Sequence, residues 1–223
     1  MRARSLLAVA IGCLALALAA GCGKQAEQHN QPVLGVRGSE KEAAQGLGFP
    51  SFATKNTTRI GGADAVADAA AVARAVYPAA TADTRPRAVT LVDQRDWRIA
   101  LAASALMAPP VRAPVLFADG AELPPATEAA LQGLGPRGSS ALDGAQLIRV
   151  GAVARPAGFK TADLKSGDPF TVADEIDRLV AAARGGPSDT VLVAGADAPA
   201  YAMPAAAWAA KSGDPVLFVK RDV

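Results

Sequence analysis

Carboxylates carry nearly all the chemical potential of this chain. Its single histidine, His29, and its two cysteines, Cys13 and Cys22, all lie in the first thirty residues. Beyond them, His-based triads, His-metal sites and thiol nucleophiles have no residues to use. Aspartates remain, and Asp93, Asp96, Asp119, Asp197 and Asp222 each follow a short apolar run. In a parallel α/β sheet such positions lie outside the carboxyl ends of strands, where ligands bind. Two carboxylates held together with separated pKa values could support acid–base hydrolysis, but nothing in the spacing fixes such a pair. The plainer role is that each Asp caps the helix or turn after it. Trp97, beside Asp96, could stack on a sugar ring or pack at a loop–helix junction. Neither a Walker-type lysine loop nor a glycine fingerprint leading from a strand into a helix is present, so no nucleotide, cofactor or metal is expected.

These residues sit in a pattern that occurs twice. Pro114-Val115-Leu116-Phe117 returns as Pro215-Val216-Leu217-Phe218, 101 positions on. The same offset pairs Asp96 with Asp197 and Leu91-Val92 with Leu192-Val193. Upstream, Asp64 heads the Ala-rich segment Ala65 to Val76, and Asp168 heads Pro169 to Ala183. A period this long suits tandem small domains rather than a solenoid. Each unit is expected to run as strand (Ala88 to Val92; Thr190 to Ala194), Asp-bearing loop, Ala-rich helix (Ile99 to Ala108; Ala200 to Ala210) and second strand. In the first unit a helix from Pro124 to Gly133 and a strand at Leu147 to Val150 follow. The strands are continuously apolar, so the sheets should be parallel and covered, a Rossmann-like layer per module. Trp208, matched to Met107, is expected in the core.

Arg2 and Arg4, an apolar run from Leu6 to Ala20 and then Gly21-Cys22 form an export signal. Leu18-Ala19-Ala20-Gly21-Cys22 resembles a bacterial lipobox, in which the Cys is diacylated and becomes N-terminal; secretion with an incidental Cys is the alternative. Loss of residues 1–21 removes Arg2 and Arg4 from a total of 23 basic and 21 acidic residues, leaving a formally neutral chain. Nucleic acid is therefore not an expected partner. From Gly23 to about Ser51 the chain is polar and reads as a tether.

A wider likeness covers most of residues 57–223, more loosely in the second module. Arg59-Ile60-Gly61-Gly62-Ala63-Asp64, the Asp96-Trp97 pair before Ala100-Leu101-Ala102-Ala103, Ala113 to Phe117, Leu123-Pro124 with Thr127, and Ile148-Arg149-Val150-Gly151 together resemble the cell wall-binding repeat 2 family. That resemblance implies tandem α/β modules on surface proteins of Gram-positive bacteria that attach non-covalently to anionic wall polymer. It yields residues 1–21 as signal peptide, 22–56 as lipidated Cys and tether, 57–158 as a first wall-binding-like module and 159–223 as an incomplete second one. The ligand-contact candidates are Arg59, Asp64, Asp96, Trp97 and Asp197, with Cys22 as the lipid site. The function expected is non-enzymatic anchoring of a membrane-tethered envelope protein; the alternative is an extracytoplasmic solute-binding protein or hydrolase. The first module continues past Phe117 to Gly151, whereas the chain ends at Val223, so a longer parent or a partner chain is expected to complete the second.

Overall fold

A computed structural model describes residues 51–53 and 58–220. Cys22 and Asp222 lie outside these. The chain divides into two compact units. In the first, the described residues, 51–53 and 58–59, belong to two short paired strands, β1 (Ser51–Ala53) and β2 (Thr58–Ile60). The second runs from Ile60 onward and carries everything below.

Its first helix, α1 (Ala65–Val76), starts where Asp64 accepts a hydrogen bond from the Ala67 amide, 2.8 Å away. Gly62 precedes it because a Cβ there would lie 2.4 Å from that of Ala67. Then come β3 (Val89–Asp93), α2 (Trp97–Ala103), a tighter 3-10 turn over Ser104–Met107, β4 (Val115–Ala118) and α3 (Pro125–Leu134). After them follow β5 (Leu147–Val150), β6 (Thr161–Leu164), α4 (Pro169–Arg184), β7 (Leu192–Gly195), α5 (Pro199–Ala202), α6 (Pro204–Ser212) and β8 (Val216–Val219). Prolines in the first turn of α3 to α6 cost no helical hydrogen bond there.

The architecture is α/β with parallel strands, as the apolar strand runs imply. One sheet has the order β4-β3-β5-β6 and the other is the pair β7-β8. On one face of the larger sheet, Leu91, Leu116 and Leu147 are buried under Ala70 and Ala73 of α1 and Ala130, Leu131 and Leu134 of α3. On the other, Val92, Ile148 and Val150 join a core that also holds α2, α4, Ala194, Val216 and Phe218. The second core spans both halves of the repeat, and α2 lies inside it.

Four features differ from the sequence expectation. β6 falls beyond the expected boundary at 158, yet it pairs with β5 through Leu147↔Thr161 to Val150↔Leu164 and completes the first half's sheet. Its Thr161-Ala162-Asp163-Leu164 is only partly buried at every position, so it lacks the apolar run of its neighbours. The helix drawn over Ala200 to Ala210 is broken into α5 and α6, because Pro204 removes an amide and resets the turn. Trp208 is 57% exposed rather than in the core, with its indole Nε1 donating to Asp214 at 2.7 Å.

The fourth difference is a slip of register. The Gln94 amide donates to Ala118 O, whereas the Ala196 amide donates to Val219 O. Matched through the second strands, Gln94 corresponds to Ala196 and Asp96 to Ala198, an offset of 102. Asp96 begins α2, but the residue that begins α5 is Ala198, and Asp197 lies one position before it. The two aspartates share an offset in the letters and not a place in the fold.

Candidate functional site

Arg98 gathers the candidates that the structure brings together. Asp96 caps α2 by accepting from the amides of Arg98 (2.9 Å) and Ile99 (3.4 Å), which fixes the first turn and aims residue 98 across the gap between the halves. There the Arg98 Nε donates to the carbonyl of Ala196 at 2.6 Å, and Nη1 lies 3.7 Å from Asp96. The guanidinium sits 5.2 Å from the centre of the Trp97 ring, whose edge meets Phe218 at 6.1 Å. Phe170 meets Phe218 from the other side at 6.3 Å, and the Lys220 ammonium rests 4.9 Å above the Phe170 ring. A cation over an aromatic face is held by the ring quadrupole.

Arg98, Phe170 and Lys220, with Asp168 and Asp197, line a groove of about 450 Å³. It opens at the carboxyl ends of β7 and β8, the end of a parallel sheet where ligands are received. Asp168 is engaged as the cap of α4, accepting from the Thr171 hydroxyl (2.7 Å) and amide (2.9 Å). Those bonds hold its carboxyl below the usual carboxylate range, with the Lys220 charge adding to them. Asp197 is exposed at the rim. Two cations, one of them steadied by a backbone carbonyl, thus face a groove in which one of the two acids, Asp168, is already committed to its own helix. Such a surface suits a polar ligand bearing negative charge and ring faces.

The remaining candidates lie apart. Asp64 lines a separate groove of about 390 Å³ with Gln94, Asp119 and Glu122. At its edge Arg95 bridges Asp93 (2.6 Å) and Asp119 (3.6 Å), and its hydrogen bond holds the Asp93 carboxyl below the ordinary range. Arg59 is exposed in the other unit. Among the described residues no cluster of His, Cys, Asp and Glu is set to hold a metal ion. Gly133, Gly135 and Gly138 match the letters of a dinucleotide fingerprint, but Gly135 ends α3 in the left-handed conformation rather than opening a helix. Arg98, Phe170, Phe218 and Lys220 were not singled out from sequence as ligand contacts. Only the adjacency of Arg98 to Trp97 offered a signal; a lone Lys after a strand offers none.

No protein-family model matches the chain, and no curated protein matches it in sequence. Solved structures do match in fold. Cwp6 from Clostridium difficile superposes with a TM-score of 0.56 at 14% identity, over 86% of this chain and 29% of that one. Cwp8 from Clostridium difficile gives 0.54 at 24% identity, over 73% of this chain and 27% of that one. At these identities the likeness shows a shared fold, and the chain spans less than a third of either structure's length.

Proposed function

We propose that this chain is a lipid-anchored protein of the cell envelope that binds an anionic wall polymer without catalysis, through the groove around Arg98 and Lys220. The observation that carries the proposal is the pairing of a carbonyl-bound Arg98 with a Phe170-seated Lys220 on one groove. Each cation is restrained before any ligand arrives, so less side-chain entropy remains to be lost on binding. Phe170 adds to the lining an aromatic ring of the kind on which sugars stack, while Trp97, outside the lining, backs Arg98. The fold shared with the two Cwp structures supports an envelope role, and the lipobox-like residues before Cys22 support the membrane tether.

The test is co-sedimentation of the processed chain with purified wall and with wall stripped of its anionic polymers. Binding to the first and not the second is expected, falling as salt rises because exposed charges are screened. Lys220→Ala should weaken it while leaving the melting temperature unchanged, since Lys220 is exposed. Equal retention by both walls, or a Lys220→Ala variant that binds as well as the parent, overturns the proposal.

A further inference from the structure

The loop after β7 carries a carboxylate with no counter-charge among the described residues. Ala196 is pinned at both ends, its amide donating to the Val219 carbonyl at 2.9 Å and its own carbonyl accepting from Arg98 Nε at 2.6 Å. Asp197 follows directly, so the backbone that carries it is held. Its carboxyl turns back over the end of β7, since a Cβ on Gly195 would lie 3.4 Å from Asp197 Oδ1. There the side chain is exposed and lines the same groove as Arg98 and Lys220. Neither cation pairs with it. Arg98 lies beside Asp96 and the Lys220 ammonium over Phe170, and among the described residues no basic group stands within ion-pair distance of Asp197.

The groove's other acid, Asp168, is already satisfied by the Thr171 amide and hydroxyl. With two basic and two acidic side chains on its walls, the groove is formally neutral. A surface that attracts anions by charge alone needs an excess of positive charge, and this one has none. A ligand bearing only negative charge gains at Arg98 and Lys220 but is repelled at Asp197, because like charges brought close disfavour one another. A ligand with a protonated amine beside its acid is attracted by all three.

We propose that the groove is specific for a zwitterionic stretch of polymer, its acidic group held by Arg98 and Lys220 and a protonated amine held by Asp197. The proposal rests on the reading of this groove as the wall-polymer site and adds the second charge that the polymer carries there. Asp197 is then a specificity residue, which admits polymer bearing amines and turns away polymer bearing acid alone. An amino sugar and an ester-linked amino acid would each supply such an amine.

The experiment measures co-sedimentation of the processed chain with purified wall, with the same wall after acetylation of its amines, and with wall stripped of its anionic polymers. Acetylation removes the positive charges and leaves phosphates and carboxylates in place. It should weaken retention of the parent about threefold, the scale of one exposed ion pair. Asp197→Asn, checked by melting temperature, should bind untreated wall about threefold more weakly than the parent and should be indifferent to acetylation. Should that variant unfold, the acetylated wall still tests the parent. Mild alkali cleaves ester-linked amino acids and spares amino sugars, so alkali-treated wall that binds like acetylated wall places the amine on an ester, and wall that binds as before places it on a sugar. A parent indifferent to acetylation, or a parent and an Asp197→Asn variant weakened by it to the same degree, would overturn this inference alone, provided that Lys220→Ala still weakens binding. Equal retention by stripped and untreated wall, with Lys220→Ala binding like the parent, would overturn the polymer reading of the groove and this inference with it.

Discussion

The Nε of Arg98 and the carbonyl of Ala196 meet at 2.6 Å across 98 residues of chain, joining the start of α2 to the loop after β7. The bond is made by a charged donor in a partly buried place, where such bonds are worth more than neutral ones. Arg98→Met keeps much of the stem's packing and removes the donor. It should cost about 2 kcal/mol, seen as a lower denaturant midpoint in a transition that remains single. Two separate transitions in the parent would show that the halves do not fold together.

Asp214 ties the end of α6 to β8 and is itself buried. Its carboxyl accepts from the Ser188 hydroxyl (2.5 Å) and the Trp208 indole (2.7 Å), while its amide donates to the Ser212 hydroxyl oxygen (3.1 Å). Asp214→Ala leaves the indole and the Ser188 hydroxyl without this partner and should cost about 2 kcal/mol. Because the indole leaves a carboxylate, the emission of Trp208 should change along with the melting temperature. A variant that melts with the parent would contradict the account of this knot.

Acid should destabilise the fold through the same side chain and through Asp163. The Ser188 hydrogen bond holds the Asp214 carboxyl below the ordinary range. For Asp163, burial pushes the carboxyl up, and the Arg149 charge, the Thr161 hydroxyl and the Arg155 charge more than reverse it. A lowered native pKa means the unfolded chain takes up protons first as pH falls. The stability from these groups is present above the unfolded carboxylate pKa, near 4, and is lost as pH drops through the native values. Melting temperature should therefore fall steeply below about pH 4, and less steeply in Asp214→Asn. Identical pH profiles for the two proteins would refute this.

Arg149 reaches from β5 to the carbonyls of Val153 and Ala154 and to Asp163, 3.1 Å away on β6. Its side chain is almost wholly covered, so removing it leaves two carbonyls without this donor and the Asp163 carboxylate with only the more exposed Arg155 as a cation. Arg149→Met should cost about 3 kcal/mol, measured by chemical unfolding. Arg155, more exposed on the same carboxylate, should matter less. The opposite ranking would mean that burial is not what sets the value.

Cys22→Ala should release the protein from membranes into the medium, because the residues before Cys22 form the lipobox-like segment and the tether after it is polar. Partition with membranes at parental levels in that variant would refute lipid attachment.

Much of the fold was open to inspection in the residues. The apolar runs at Val115 to Ala118 and Leu147 to Val150, and the Asp-headed start of α1, sit where hydrophobic patterning and capping place them. β6 was hidden because a half-covered edge strand with a central Asp carries no apolar run. The slip between Asp96 and Asp197 was hidden for another reason. Repeated letters report common ancestry of segments, while hydrogen-bond register reports geometry, and one residue of difference moves every side chain to the opposite face. The cationic groove was least legible: Arg98 and Lys220 come from different halves and become neighbours only when α2 enters the second core.

The pairing of β5 with β6 bears on how the chain can be dissected. A cut near residue 158, where the repeat resets in the letters, would strip the sheet of its last strand and leave Arg149 facing a vacancy in place of Asp163. A fragment ending there should expose a bare strand edge and self-associate. Fragments extended past Leu164 keep that edge covered, so domain exchange, tagging or circular permutation is better placed in the loop leading to Asp168, inside what the letters call the second copy's opening stretch.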